Sequence, residues 1–93
     1  MRQFQNLDEL KQLCQDKDLQ STTVFADPDY SSAVVGISSN DALIYSHAKM
    51  VEYLMKNFQF DETEAIEFID VNTIASLPSA KEPRPVIMYD IES

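Results

Sequence analysis

The fold is decided by residues 42–58, whose sequence is ALIYSHAKMVEYLMKNF. The run Ala42–Tyr45 is short and apolar, which is typical of a strand. Ser46 is a favoured N-cap residue. The apolar residues after it recur at helical spacing, namely Met50, Val51, Leu54, Met55 and Phe58. This stretch predicts a strand that passes directly into a helix over 47–58.

A second short apolar run, Ala33–Ile37, precedes this stretch and is separated from it by Ser38–Asp41. Two such runs joined by turn residues predict a hairpin, with Asn40 the residue that takes a positive φ. Gly36 is the single glycine of the chain. Inside a strand it indicates a bulge or a close approach, because a phosphate-binding loop needs several glycines that lead into a helix.

The first third of the chain predicts a helix and a strand. Asn6 and Glu9 have the spacing of a capping pair, and a helix over about 7–17 follows from the stripe of Leu7, Leu10, Leu13 and Cys14. Thr22–Ala26 is rich in β-branched and aromatic residues and predicts a strand. Asp27–Asp29 contains a proline and ends it.

The last third predicts a helix, an extended segment and a strand. Asp61 and Glu64 form a capping box for a helix over 62–75 that buries Ala65, Ile66, Phe68, Ile69 and Ile74. Two prolines and flanking charges keep 79–85 extended. Residues 86–91 then form a strand, whose position in the sheet the pattern leaves open.

The predicted order is α-β-β-β-α-α-β in a single compact domain over 1–93. It favours an α+β fold, with a small antiparallel sheet of three to four strands. The N-terminal helix and the central helix pair are expected to pack on this sheet.

Charge excludes one class of function. The chain of 93 residues has 16 acidic and 7 basic side chains, which gives a net charge of −9. Nucleic-acid binding depends on clustered lysine and arginine, so no direct nucleic-acid partner is expected. A hydrophobic content of 44% is too high for a disordered acidic tail.

The cysteine content and the distribution of apolar residues bear on the compartment. Cys14 is the single cysteine, whereas a small secreted domain usually carries an even set. Its helical spacing from Leu7 and Leu10 predicts a buried thiol. The sequence has no apolar leader and no apolar stretch long enough to span a membrane. We therefore expect a cytoplasmic protein without a membrane partner.

The residues that support catalysis or metal binding are few. His47 is the only histidine, and no spacing typical of zinc or calcium ligands occurs. Paired carboxylates are abundant, but a chain of this size without tryptophan leaves little for a substrate cleft. We expect a protein that is not an enzyme, with no catalytic residue, no metal ligand and no cofactor.

Segment 57–80 is acidic and contains neither lysine nor arginine. Its acids are Asp61, Glu62, Glu64, Glu67 and Asp70, which we call the acidic strip. Acids near a helix N-terminus are favourable, so a solvated helix face explains the pattern. The functional alternative is a partner-binding surface that docks on a basic protein groove.

From Ala33 onward, the sequence resembles a group of small, acidic, uncharacterised proteins of bacteria, phages and prophages. The shared pattern is a hairpin that ends in Tyr45, then MVEYLM, EAIEFID-NTI-LP and a strand led by Pro85. The first helix has no counterpart in the group. The resemblance implies a bacterial or phage origin and transfers no catalytic residue.

Together these observations predict a non-enzymatic intracellular protein-binding module of bacterial or phage origin. One alternative is an acidic anti-defence inhibitor that mimics nucleic acid, similar to an anti-CRISPR protein, with the acidic strip as its docking surface. Another is a small enzyme or ligand carrier, which a pocket of several hundred cubic ångströms lined by His47 or carboxylates would favour. A homodimer through an exposed edge strand at 86–91 is a further expectation.

Overall fold

The computed structural model describes residues 4–19, 23–25, 29–80 and 82–91. The fold is α+β, as predicted, with three helices and a mixed sheet of three strands in the described part of the chain. The elements are α1 (Leu7–Asp16), β1 (Val34–Ile37), β2 (Leu43–Ser46), α2 (His47–Asn57), α3 (Glu62–Phe68) and β3 (Val86–Met88).

The sheet has the order β1-β2-β3, so β2 is its central strand. β1 and β2 pair antiparallel, as the hairpin prediction requires. β3 runs parallel to β2, so the prediction of a wholly antiparallel sheet is wrong for the last strand. The chain leaves the end of β2 through α2 and α3 and returns to the other end of the sheet, which is how a helical crossover produces a parallel pair.

The predicted strand at Thr22–Ala26 is absent where the structure describes it. Residues 23–25 are irregular, and Thr22 and Ala26 lie outside the described residues. Val24 and Phe25 pack against the core, but the backbone N–H of Phe25 donates to the hydroxyl of Tyr45 at 3.1 Å. The backbone of this segment therefore bonds to a side chain instead of a neighbouring strand, while its apolar side chains still contact the core.

The hairpin has the predicted bulge, and its positive φ lies one residue later than expected. The register shifts between Val34 and Gly36, which places the bulge at the single glycine. Asp41, not Asn40, has the positive φ of 66°. The side chain of Asn40 is instead held by a hydrogen bond from the Ser38 hydroxyl.

All three helices begin at the predicted cap. Asn6 Oδ1 accepts from the N–H of Glu9 at 3.0 Å, and Ser46 Oγ accepts from the N–H of Lys49 at 3.3 Å. Asp61 and Glu64 exchange both bonds of a capping box, at 2.8 and 3.0 Å. Each cap satisfies a backbone donor that the helix leaves free.

The predicted third helix is regular only as far as Phe68. A π turn over Ile69–Thr73 and a 3₁₀ segment over Ile74–Ser79 follow it. Asn72 Nδ2 donates to the carbonyl of Phe68 at 3.3 Å, and the hydroxyls of Thr73 and Tyr30 lie 3.1 Å apart. The first bond closes onto the last regular turn of the helix, and the contact with buried Tyr30 anchors the end of the helix to the core.

The core lies between the sheet and the helices. Its fully buried large side chains include Leu10, Tyr30, Leu43, Tyr45, Met50, Leu54 and Ile69. Cys14 is buried among them, as predicted, and burial raises the pKa of its thiol. Among the described residues, no helix is both long and apolar enough to cross a bilayer.

Candidate functional site

An open groove of about 520 Å³ runs between α2 and α3, and we call it the α2–α3 groove. Its lining residues are His47, Ala48, Val51, Glu52 and Met55 from α2, Glu62 and Ile66 from α3, and Tyr89 and Asp90 after β3. Residues four apart lie on one face of a helix. Val51 and Met55 therefore share one face of α2, and Glu62 and Ile66 share one face of α3. These two faces form the walls of the groove.

The groove exposes large apolar side chains. Met55 is 40% exposed, Ile66 37% and Tyr89 62%. Single exposed apolar residues are ordinary, but a cluster within one concave surface marks an interaction site more often. Val51 is buried and joins this cluster to the core.

The charged residues of the groove are all acidic. Glu52, Glu62 and Asp90 line it, and no lysine or arginine from the described part of the chain does. The described residues contain one ion pair, between Arg84 and Glu82 at 3.8 Å. Neither of these two residues lines the groove. The groove therefore presents carboxylates beside apolar surface, while Lys49 and Lys56 lie in the adjacent groove that Glu52 also lines.

Asp90 connects the end of β3 to the start of α2. Its Oδ1 accepts from Ser46 Oγ at 2.7 Å and from the N–H of Ala48 at 3.4 Å. The bond from Ser46 is the main cause that lowers the pKa of Asp90, and the N–H of Ala48 and the charge of Lys49 lower it further. Asp90 is therefore a charged carboxylate at the positive end of α2.

His47 lies under Tyr89 at the same end of the groove. The two ring centroids are 4.8 Å apart, with a tilt of 34°. The His47 Nε2 atom is buried and has no hydrogen-bond partner among the described residues. An imidazole beside carboxylates is suited to bonding a polar ligand, but this nitrogen is buried. No group of three or more His, Cys, Asp or Glu side chains that could hold a metal ion occurs in the described parts of the chain.

The structure divides the acidic strip between different surfaces. Only Glu62 lines the α2–α3 groove. At about 100° per residue, Glu64 and Glu67 point roughly 160° and 140° away from Glu62. Asp61 and Glu64 are also bound to each other's backbone in the capping box. All five acids are exposed, but they do not form one continuous face.

Sequence reasoning missed most of the groove. The helical spacing predicts that Ile66 is buried, whereas the structure exposes it, together with Met55 of the α2 stripe. Asp90 falls within the predicted strand over 86–91, whereas β3 ends at Met88 and Asp90 accepts a hydrogen bond from Ser46, the N-cap of α2, 44 positions away in the sequence. No local pattern reports such a distant contact. One part of the groove does have a signal in the sequence. Glu62 and Ile66 are four residues apart, so they lie side by side on one face of α3.

Other grooves are of similar size, so volume alone does not identify the site. A polar groove of about 390 Å³ contains Lys49 and Lys56. An aromatic one of about 340 Å³ is lined by Phe58 and Phe68, among others. The α2–α3 groove differs because it combines exposed apolar residues, carboxylates that form no ion pair with a described residue, and an imidazole nitrogen that is buried without a hydrogen-bond partner among those residues.

No protein-family model, curated protein or solved structure matches this chain. The resemblance to small acidic proteins of bacteria and phages therefore stays a prediction. Inference about function depends on the geometry of the groove and on its charge.

Proposed function

We propose that the chain is a non-enzymatic protein-binding module that docks a segment of a partner protein in the α2–α3 groove. The observation that carries the proposal is the exposure of Met55, Ile66 and Tyr89 within one groove whose charged residues are all acidic. A segment with an apolar side chain next to lysine or arginine complements both properties. The partner is therefore a protein with a basic and apolar docking segment.

Apolar contact and charge have different roles in this complex. Full burial of a side chain the size of Met or Ile contributes about 1.5–3 kcal/mol. An exposed ion pair contributes roughly 0–1 kcal/mol and weakens with salt. Met55 and Ile66 therefore supply most of the affinity, while Glu52 and Glu62 select a basic partner and speed its association.

A ligand carrier is the second candidate, because a groove of about 520 Å³ lined by His47 and carboxylates is present. Sites for small molecules have volumes of about 300–1,000 Å³ and bury roughly 70–90% of the ligand surface. The α2–α3 groove is open along its length, so a small molecule in it would keep much of its surface in water. A protein segment also covers the rim, and the groove shape therefore favours it.

The nucleic-acid-mimicking inhibitor is an alternative that uses the opposite face of α3. Glu67 and Asp70 are exposed and have no cation within ion-pair distance in the described part of the chain. Charge alone supports this alternative, whereas the α2–α3 groove offers charge and apolar surface together.

We infer a cytoplasmic setting in a bacterium or an infected cell from the single buried Cys14 and from the family resemblance.

Selection of displayed peptides tests the proposal without knowledge of the partner. Random peptides are selected on the wild-type protein, and enriched sequences are measured on Glu62→Lys and Glu67→Lys. Both variants change the same charge on exposed positions of α3, but only Glu62 lines the groove. We expect peptides that pair lysine or arginine with an apolar residue. Binding to Glu62→Lys should weaken by about three- to tenfold, because the reversal removes one exposed ion pair and adds a repulsion of similar size, with little change for Glu67→Lys.

Other outcomes would contradict the proposal in distinguishable ways. Loss of binding to Glu67→Lys alone would favour the acidic strip and the inhibitor alternative. Peptides that bind both variants as tightly as the wild type would reject the α2–α3 groove. Thermal unfolding followed by circular dichroism checks that both variants are folded.

A further inference from the structure

The two edges of the sheet differ in how they are protected. β1 carries a bulge between Val34 and Gly36, and a bulge on an edge strand hinders pairing with another chain. β3 pairs with β2 without a register shift, and its outer side has no strand partner in the described residues. Val86 and Met88 on this strand are 40% and 37% exposed. β3 is therefore the edge that is open to a further strand.

We propose that β3 binds a second copy of this chain, with the two β3 strands antiparallel and the two Ile87 residues facing each other across a two-fold axis. In this register Val86 of each copy faces Met88 of the other. Arg84 likewise faces Asp90 of the other copy. The interface is self-complementary, as a two-fold dimer requires, because the Val86–Met88 pair and the Arg84–Asp90 pair each occur twice, once on either side of the Ile87 pair.

Charge complementarity selects the second copy and the register. The net charge of −9 opposes self-association in general, so an interface between copies must place cations against acids. Arg84 is held beside the start of β3 by bonds to the carbonyls of Pro78 and Ala80, both at 3.3 Å, and its exposed ion pair with Glu82, at 3.8 Å, leaves further guanidinium N–H groups for an acid of the second copy. Pairing centred on Met88 would instead place Asp90 opposite Val86, which leaves the carboxylate beside an apolar side chain.

The existing contacts of Asp90 are compatible with the pairing. Its Oδ1 is used by Ser46 and Ala48, and a carboxylate has further lone pairs for an arginine. Pro85 has no N–H to donate, and β3 has only three residues. The interface is therefore short, and the dimer is expected to be in rapid exchange with the monomer.

Two double variants test the register by sedimentation velocity at increasing protein concentration. Val86→Lys with Met88→Lys places like charges opposite each other, so we expect the dimer to be lost. Val86→Lys with Met88→Glu places opposite charges together, so we expect dimerisation to be retained. Both variants remove the same apolar surface from exposed positions, which controls for non-specific hydrophobic association.

Val71→Lys is the control outside the interface, because Val71 is 63% exposed on the π turn after α3. It should leave dimerisation unchanged. A wild-type protein that stays monomeric at every concentration would overturn the proposal. So would dimerisation of the Lys/Lys variant, or loss of the dimer in the Lys/Glu variant. None of these outcomes bears on the α2–α3 groove, which peptide binding tests separately.

Discussion

The two walls of the α2–α3 groove are anchored very differently. α2 buries Met50, Val51 and Leu54, and its first turn is tied to β2 and to the end of β3. α3 has seven residues, buries only Ala65 and changes into a π turn after Phe68. The α2 wall is therefore part of the core, while the α3 wall rests on it with most of its side chains in solvent. This difference suggests that changes in α2 act mainly on stability and changes in α3 mainly on binding.

The largest effect should come from the core side of α2. Leu54 has no exposed surface, so Leu54→Ala should lower the free energy of unfolding by about 2–5 kcal/mol through lost burial and a cavity. Ile66→Ala removes a side chain that is 37% exposed on α3, and its cost should stay below about 1.5 kcal/mol. Urea denaturation measures both. Equal losses for the two variants would contradict the division between the walls.

A smaller effect is expected from the two helix caps. Ser46→Ala removes the acceptor for Lys49 and the donor to Asp90, so it should cost about 1–2 kcal/mol of stability. Asp61→Ala removes only the exposed cap of α3 and should cost about 0.5–1 kcal/mol. A midpoint shift in urea that is larger for Asp61→Ala would show that α3 is the better anchored helix.

The smallest effect depends on pH. The folded state lowers the pKa of Asp90, chiefly through the bond from Ser46, so the resulting stability is present above the unfolded value near pH 4 and is lost as the pH falls. Asp90→Asn should therefore lower the unfolding temperature at neutral pH, and its difference from the wild type should shrink in acid. Glu67→Gln, on an exposed helix face, is the matched control and should show no such trend. A difference that grows on acidification would exclude the assigned role of Asp90.

The elements that sequence reasoning predicted well are those specified by neighbouring residues. The caps of Asn6, Ser46 and Asp61 satisfy backbone donors within three residues, so a local pattern contains all the information. The bulge beside Gly36 is local in the same sense. The class of fold followed from these elements.

The remaining features depend on contacts between distant residues. The direction of β3 follows from where the helical crossover returns the chain, which alternation of side chains does not report. The irregular backbone at 23–25 is stabilised by the hydroxyl of Tyr45, 20 positions from Phe25. Of the candidate site, the sequence indicated Glu62 as a partner-binding residue and His47 as the lining of a possible ligand pocket, whereas the exposure of Met55 and the position of Asp90 are tertiary properties.

The direct junction between β2 and α2 also constrains the length of the chain. Ser46 ends the strand and caps the helix, so no loop residue separates them. One inserted residue at this point would rotate α2 by about 100° relative to the sheet. Met55 would then leave the groove, and a core residue would turn towards solvent. The junction thus determines which face of α2 lines the groove. Homologues that keep the groove should therefore vary in length elsewhere along the chain.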